Sequence, residues 1–163
     1  MFCNLSIKLT KELDIKTKKD NGIYFTPESI IKKLYDFICS LDESITSRLL
    51  SICEPSCGTC EIINYMDQHY FHDYYNQIEI DGFELNDTIF NSVKSFKFMN
   101  SVHLEQKDYL TTSTDKKYDL IIGNPPYYVM KKDTVPKEYI EYCDGRPNIF
   151  VLFIIHSINK LKA

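Results

Sequence analysis

Four runs that predict β-strands alternate along this chain with stretches that predict helices. The strand runs are rich in apolar and β-branched residues, over positions 48–53, 77–85, 101–106 and 118–122. The helical stretches repeat apolar residues every three or four positions, over 27–41, 62–70, 86–96 and 149–160. Strands that alternate with helices form parallel sheets with right-handed crossovers. The sequence therefore predicts an α/β fold, in which a mostly parallel sheet is flanked by helices.

Four polar residues and a glycine follow these strands, where parallel strands bring their carboxyl ends to one edge of the sheet. They are Glu54, Gly58, Glu84, Asp108 and Asn124. Open α/β sheets bind ligands beyond this edge. The shared placement predicts one ligand site that is rich in acidic side chains.

The loop after the fourth strand, Asn124-Pro125-Pro126-Tyr127, is stiff and poor in hydrogen-bond donors. Its two prolines fix φ and lack an N–H group. Asn124 offers a side-chain carbonyl oxygen, and Tyr127 offers a flat face for stacking. These properties suit a planar heterocycle with an exocyclic amine. The alternative is an ordinary proline turn without a function.

Length and charge limit the choice of partners and compartment. The 163 residues fit one domain, and the net charge of −4 predicts weak binding of a polyanion unless another segment or subunit supplies positive charge. No apolar run suits a membrane span or a signal-peptide core, so we expect an intracellular protein that is not secreted. Its six cysteines are expected to be reduced. Residues 1–20 are expected to form a polar arm or a short strand, and residues 21–163 the catalytic domain.

These segments resemble the N6-adenine-specific DNA methyltransferases, amino-methyltransferases with an Asn-Pro-Pro-Tyr motif. The resemblance covers about residues 22–160 and rests on six motifs, at positions 22–27, 54–58, 84, 108–109, 124–127 and 148–150. It implies a Rossmann-like S-adenosylmethionine-dependent methyltransferase fold. That fold normally continues beyond the fourth strand and the helix after it, so we expect the domain to be incomplete at its C-terminus.

The resemblance assigns roles to individual residues. S-adenosyl-L-methionine is the expected cofactor, bound by Tyr24, Thr26, Glu54, Ser56, Gly58, Glu84, Asp108, Tyr109 and Asn124. Within this set, Glu84 would accept from the ribose hydroxyls and Asp108 from the adenine amine. The catalytic residues would be Asn124, Pro125, Pro126 and Tyr127, and the pocket for the target base would be lined by Tyr127, Asn148 and Phe150. No metal is expected.

The implied reaction is transfer of a methyl group from S-adenosylmethionine to the N6 amine of an adenine in DNA. The adenine would be flipped out of the duplex. A missing recognition domain or a second subunit would supply the contacts that bind DNA. We therefore expect residues 1–163 alone to bind the cofactor weakly or moderately and to methylate DNA little. Cys60 stands where a second glycine is usual, and it is expected to crowd the methionine part of the cofactor without abolishing binding.

Other interpretations stay open on the sequence. A protein glutamine or RNA adenine N-methyltransferase would need the same acceptor-rich loop. The chain would alternatively be a non-catalytic, cofactor-binding subunit of a restriction–modification assembly. The spacing of Cys53, Cys57 and Cys60 also matches the thiolate spacing of some iron–sulfur enzymes, although buried cysteines that pack as small apolar residues are the more common case.

Overall fold

The computed structural model describes residues 3–41, 51–69, 78–143 and 145–162. Six helices lie within these ranges: α1 (Asn4–Glu12), α2 (Ile15–Asp20), α3 (Glu28–Leu41), α4 (Glu61–His69), α5 (Asp87–Val93) and α6 (Ile149–Ile158). The strands are β1 (Ser51–Glu54), β2 (Glu79–Glu84), β3 (Ser101–Gln106) and β4 (Leu120–Ile121). Short 3-10 turns cover Tyr109–Thr111, Lys132–Thr134 and Lys137–Tyr142. Among the described residues, no helix is long and apolar enough to cross a membrane.

The four strands form one parallel sheet in the order β3-β2-β1-β4. The chain adds β2 and then β3 on one side of β1, and it returns to place β4 on the other side. The loops that leave β1 and β4 therefore separate at the carboxyl edge and leave a crevice between them. This arrangement confirms the predicted α/β class with a parallel sheet.

Side chains that alternate along the strands supply two apolar layers. Ile52 and Ile80 point to the face that is covered by α3 and α4, where Ile31 and Ile63 join them in one buried cluster. Cys53 and its neighbours on the strands point to the opposite face. That second cluster contains Phe83, Tyr109, Tyr118, Ile149 and Phe153. Both faces of β1 are buried, which explains why its sequence is an apolar run rather than a strict alternation.

Several boundaries differ from those predicted. The fourth strand spans only Leu120–Ile121, because Tyr118 instead forms an isolated parallel bridge with Leu161. Helix α5 ends at Val93 rather than at residue 96. The predicted strand residues 48–50, together with Tyr70 and Gln77 at the ends of other predicted elements, lie outside the described residues.

The N-terminal segment forms two helices where we expected an arm or a short strand. Each helix begins at a side-chain cap: Cys3 accepts from the Ser6 backbone N–H and Asp14 from the Thr17 N–H. Ser6 and Leu9 are buried, and the Ser6 hydroxyl lies 2.7 Å from the Thr59 hydroxyl and 2.7 Å from a Glu61 carboxylate oxygen. Helix α1 is thus fastened to the start of α4. The predicted domain boundary at residue 21 stays a prediction.

A buried polar network supports the connection between β3 and β4. The Lys160 ammonium donates to the Thr112 hydroxyl at 2.8 Å and to the Ser113 carbonyl at 2.6 Å, and burial lowers the pKa of this lysine. Tyr118 donates to Asp81 at 2.6 Å, and Asp81 also pairs with Lys116. These bonds satisfy the charged groups and tie the segment between β3 and β4 to β2 and to the residue Lys160 after α6.

Candidate active site

A cavity of about 350 Å³ lies at the carboxyl edge of the sheet. Its walls come from the segment before α3, the loop after β1, the end of β2, the loop after β3, the loop after β4 and the first turns of α6. Of the residues predicted to bind a cofactor, seven line this cavity, and they are Tyr24, Ser56, Gly58, Glu84, Asp108, Tyr109 and Asn124. Cavities of this size suit small organic ligands.

Glu84 stands at the end of β2 and holds the loop that follows β1. One carboxylate oxygen accepts from the Gly58 backbone N–H at 2.9 Å, and the other from the Asn86 N–H at 2.7 Å. Burial raises the pKa of Glu84, and these two N–H groups oppose that shift. Each oxygen keeps a second lone pair, so the carboxylate is still able to accept from hydroxyl groups in the cavity.

Asp108 and Tyr109 are neighbours in the sequence, but the Tyr109 side chain is packed into the core. Asp108 lines the cavity, and one of its oxygens accepts from the Leu110 N–H at 3.0 Å to cap a 3-10 turn. Tyr109 reaches the cavity wall, but its side chain is only 1% exposed. Its ring packs against Phe83 and Phe153, and its hydroxyl lies 3.0 Å from the Ser157 hydroxyl. Tyr109 thus forms the floor of the cavity from the core side.

The loop after β1 has the backbone geometry of a glycine loop. Gly58 has a φ of +52°, and Cys60 has a φ of +59° although it is not a glycine. Cys60 is fully buried, and its side chain belongs to the cluster beneath α3 and α4. It therefore points away from the cavity, and the expectation that it crowds a cofactor is wrong. The energetic cost of Cys60 lies instead in its backbone, because a left-handed conformation is unfavourable for a residue with a Cβ.

The three closely spaced cysteines do not converge on one point. Cys57 and Cys60 lie in the cluster on the α3 side of the sheet, whereas Cys53 lies in the cluster on the α6 side. Strand β1 thus separates one thiol from the other two, which contradicts the iron–sulfur interpretation. Within the described ranges, no group of three or more His, Cys, Asp or Glu side chains is arranged to hold a metal ion.

Glu54 occupies a small recess beside the main cavity. Thr26, Ser56, Thr59 and Asn124 share this recess of about 20 Å³. The Glu54 carboxyl is buried, and its Oε2 atom has no hydrogen-bond partner among the described residues. Burial raises the pKa of Glu54 well above its usual value, and the nearby Cys57, Glu61 and Glu84 add to that shift. An acid left unpaired among hydroxyl groups is suited to a cationic group of a ligand.

Asn124 is held in one orientation by its neighbours. The side-chain Nδ2 of Asn124 donates to the Tyr24 backbone carbonyl at 3.1 Å. The backbone carbonyl of Asn124 accepts from the Ser56 hydroxyl at 3.0 Å. With Nδ2 engaged by a carbonyl, the amide presents Oδ1 as its remaining polar atom. Gly123 just before it does not have a positive φ; a Cβ there would lie 3.0 Å from Pro55 Cδ, so close packing accounts for this glycine.

Gly22 joins the N-terminal segment to the loop after β4. It has a φ of +59°, and a Cβ at this position would lie 2.4 Å from the Tyr127 backbone nitrogen. The Asn21-Gly22 turn signal was visible in the sequence, but its contact with Tyr127 was not predicted. Residues 22–25 thereby form one wall of the cavity, and Gly22 among them contacts the loop after β4.

Replacing Gly22 with alanine should displace the loop at Tyr127. We expect a loss of at least about 2 kcal/mol in the free energy of unfolding, because the left-handed backbone is strained and rigid backbone atoms block the new methyl group. Gly145→Ala is a matched control, since Gly145 has a φ of +77° with no atom within 4 Å of its Cβ position. Urea denaturation of both variants measures the difference; equal losses would show that the contact with Tyr127 has no effect.

The predicted base-pocket residues lie together beside this loop. The Tyr127 side chain is 46% exposed, and its ring centroid lies 5.8 Å from that of Phe150. The Asn148 side-chain oxygen caps α6 by accepting from the Phe150 N–H, and its place in a base pocket stays a prediction. Asn148 thus positions Phe150, and the rings of Tyr127 and Phe150 form one aromatic surface.

Comparisons with known proteins place this geometry in a family context. The model of the Eco57I restriction-modification methylase family matches residues 4–163. The type II methyltransferase M.CvrRI of Paramecium bursaria Chlorella virus XZ-6E is 30% identical over 78% of this chain, and the modification methylase CviBIII of virus NC1A is 30% identical over 98%. The chain spans only 30% and 39% of the length of these two relatives.

A solved structure confirms the predicted fold. A class I S-adenosylmethionine-dependent methyltransferase from Listeria monocytogenes superposes with a TM-score of 0.66 over 96% of this chain and 47% of its own length. Its sequence identity is 16%, so the likeness concerns the fold alone. The architecture is thus the Rossmann-like fold of S-adenosylmethionine-dependent methyltransferases.

Proposed function

The chain belongs to the Eco57I restriction-modification methylase family, and on that premise we propose that it is the catalytic portion of a DNA methyltransferase that acts on the N6 amine of adenine. The observation that carries the proposal is the orientation of Asn124. Its Nδ2 atom is engaged by the Tyr24 carbonyl, which leaves Oδ1 as an acceptor at the border of the cavity. An exocyclic amine is a donor that such an acceptor would select.

The residues present fit S-adenosylmethionine, the cofactor that the family and fold imply. A cationic ligand with an amino group suits a recess whose buried acid, Glu54, has an oxygen without a partner. A nucleoside suits a cavity that offers two carboxylates, Glu84 and Asp108, along one wall. We assign the ribose hydroxyls to Glu84 and the adenine amine to Asp108. When bound, this cofactor supplies an electrophilic methyl group on a cationic sulfur.

The catalytic loop would prepare the amine of the target base. In adenine, the lone pair of this nitrogen is delocalised into the ring. Asn124 Oδ1 and the Pro125 carbonyl would each accept one amine hydrogen, which favours a nitrogen with more localised electron density. The two prolines hold these oxygens in place and bring no competing N–H donor. Neither a metal nor a covalent bond to the protein enters this scheme.

The aromatic surface formed by Tyr127 and Phe150 would receive the base. A base that leaves the duplex loses stacking worth a few kcal/mol, and a pocket with aromatic walls restores part of it. The ring of Tyr127 is exposed enough to stack, and Phe150 supports it from α6. We assign selection of the DNA sequence to a recognition domain or to a second subunit.

The identity of the methylated product tests the proposal. We expect the full-length protein, supplied with methyl-labelled S-adenosylmethionine and unmethylated genomic DNA, to produce N6-methyladenine that nucleoside mass spectrometry detects after digestion. Genomic DNA already saturated with N6-methyladenine at the same sites should accept no label. Label in protein glutamine or in RNA, with none in DNA, would contradict the proposal and favour the corresponding alternative.

A further inference from the structure

The N-terminal helices are locally positive in a chain that is acidic as a whole. Residues 3–22 contain five of the 19 lysine and arginine residues but only three of the 23 acidic residues, while the net charge of the chain is −4. A polyanion would be repelled by most of this surface and attracted to these helices. The proposed reaction assigns no role to these helices.

The unpaired positive charge lies mainly on α2. Lys8 pairs with Glu12 at 3.7 Å, and the Lys18 ammonium donates to the Thr10 carbonyl at 2.7 Å. Lys16 and Lys19 are exposed, and neither forms an ion pair with the part of the chain that the structure describes. Positions three apart in a helix are neighbours on its surface. Lys16 and Lys19 therefore form one small patch of two free ammonium groups.

This patch is joined directly to the catalytic loop. The Ile23 N–H donates to the Lys18 carbonyl at 2.9 Å, and the Gly22 N–H to the Lys19 carbonyl at 3.4 Å. Gly22 in turn packs against the backbone of Tyr127. Helix α2 is thereby fixed relative to the loop that would hold the target base.

We propose that Lys16 and Lys19 bind phosphates of the duplex that flanks the target adenine. The inference rests on the proposed function, and it assigns part of the DNA-binding contacts to this chain itself. A base can reach Tyr127 only if the strand that carries it passes close to the loop, and α2 is a lysine-rich helix fastened there. Lysine ammonium groups on flexible stems suit phosphate oxygens without reading sequence.

The salt dependence of DNA binding tests this assignment. We would measure the dissociation constant of the full-length protein for duplex DNA by fluorescence anisotropy between about 50 and 200 mM salt, since each neutralised phosphate adds about 0.9 to the slope of log K against log salt. The double variant Lys16→Gln/Lys19→Gln should lower that slope by about 1.8 and weaken binding roughly tenfold or more at physiological salt. The turnover number at saturating DNA should stay unchanged.

The matched control is Lys94→Gln/Lys97→Gln. These lysines have the same spacing, but they lie at the end of α5 and before the amino end of β3, at the opposite edge of the sheet from the cavity. Their replacement should leave the slope unchanged. A wild-type slope in the Lys16/Lys19 variant, or an equal reduction in the control, would overturn the proposal. Absence of N6-methyladenine from the wild-type reaction would instead remove the proposed function, and the slopes would still report on phosphate binding.

Discussion

Replacing Asn124 with alanine is expected to slow methyl transfer by about 10²- to 10³-fold, the usual cost of removing one preorganised polar group that acts in a transition state. The variant loses Oδ1, which would accept an amine hydrogen, and also the bond from Nδ2 to the Tyr24 carbonyl. Cofactor affinity should change much less, because Glu54, Glu84 and Asp108 remain. Single-turnover methyl transfer and calorimetry with S-adenosylmethionine separate the two effects.

Two further variants sharpen the test of Asn124. Asn124→Asp keeps an oxygen acceptor, so we expect a smaller loss of methyl-transfer rate than with alanine. Some loss is still expected, because a carboxylate oxygen then faces the Tyr24 carbonyl oxygen. Asn64→Ala is the matched control, since Asn64 is exposed on α4 and its side-chain oxygen accepts from the Gln68 side chain at 3.3 Å. Activity of Asn124→Ala within tenfold of the wild type would show that the side-chain oxygen is not required.

Replacing Glu54 with glutamine is expected to strengthen the fold and weaken cofactor binding. The wild-type carboxyl is buried with one oxygen unpaired. A neutral amide has no charge to desolvate, and its NH₂ group has hydroxyl acceptors within the recess. A cationic ligand, however, loses its counter-charge, and removal of one member of a buried pair commonly costs 2–5 kcal/mol, so affinity for S-adenosylmethionine should fall more than tenfold.

The effect of Glu54 on stability depends on pH in a definite direction. Burial raises the pKa of Glu54 in the folded protein above 4.5, its ordinary value, so the native state holds this proton more tightly than the unfolded chain does. The wild type therefore loses stability as pH rises from about 4.5 through the folded pKa. Glu54→Gln lacks this loss, and its advantage in unfolding free energy should grow as pH rises from about 4.5 toward the folded pKa of Glu54.

Urea denaturation and cofactor titration at several pH values check both statements. Binding of the cation by the wild type should tighten as pH rises and Glu54 ionises, while the variant should show a flatter dependence. Glu105→Gln serves as the control, because Glu105 on β3 is exposed and pairs with Lys107. A variant that is less stable than the wild type at pH 8, or that binds the cofactor equally well, would contradict the role of Glu54.

Much of the fold was predictable because local patterns and global topology agree. The strand at 101–106 and the helix that begins near residue 86 were predicted directly from the sequence, because the spacing of apolar residues acts over a few positions. The N-terminal helices were not predicted. Their sequence is polar, and what stabilises α1 is a contact between Ser6 and Thr59, 53 positions away.

The candidate site shows the same division between local and distant causes. The motifs predicted which residues gather at the carboxyl edge, and the cavity contains Glu84, Asp108 and Asn124 as expected. The direction of the Cys60 side chain was predicted wrongly, because a positive φ at a non-glycine residue is not visible in composition. The contact of Gly22 with Tyr127 and the cap at Asn148 depend on chain segments that meet only after folding.

The hydrogen bond between Asn124 and Tyr24 joins residues 100 positions apart. Contacts across so long an interval carry a large loop-closure cost and tend to form late in folding. As the chain leaves the ribosome, its first helices and the loop after β1 would be present well before the loop that orients the amide. A nascent chain would therefore lack an oriented Asn124 amide until the residues of β4 and the loop after it have emerged, however early its first helices become compact.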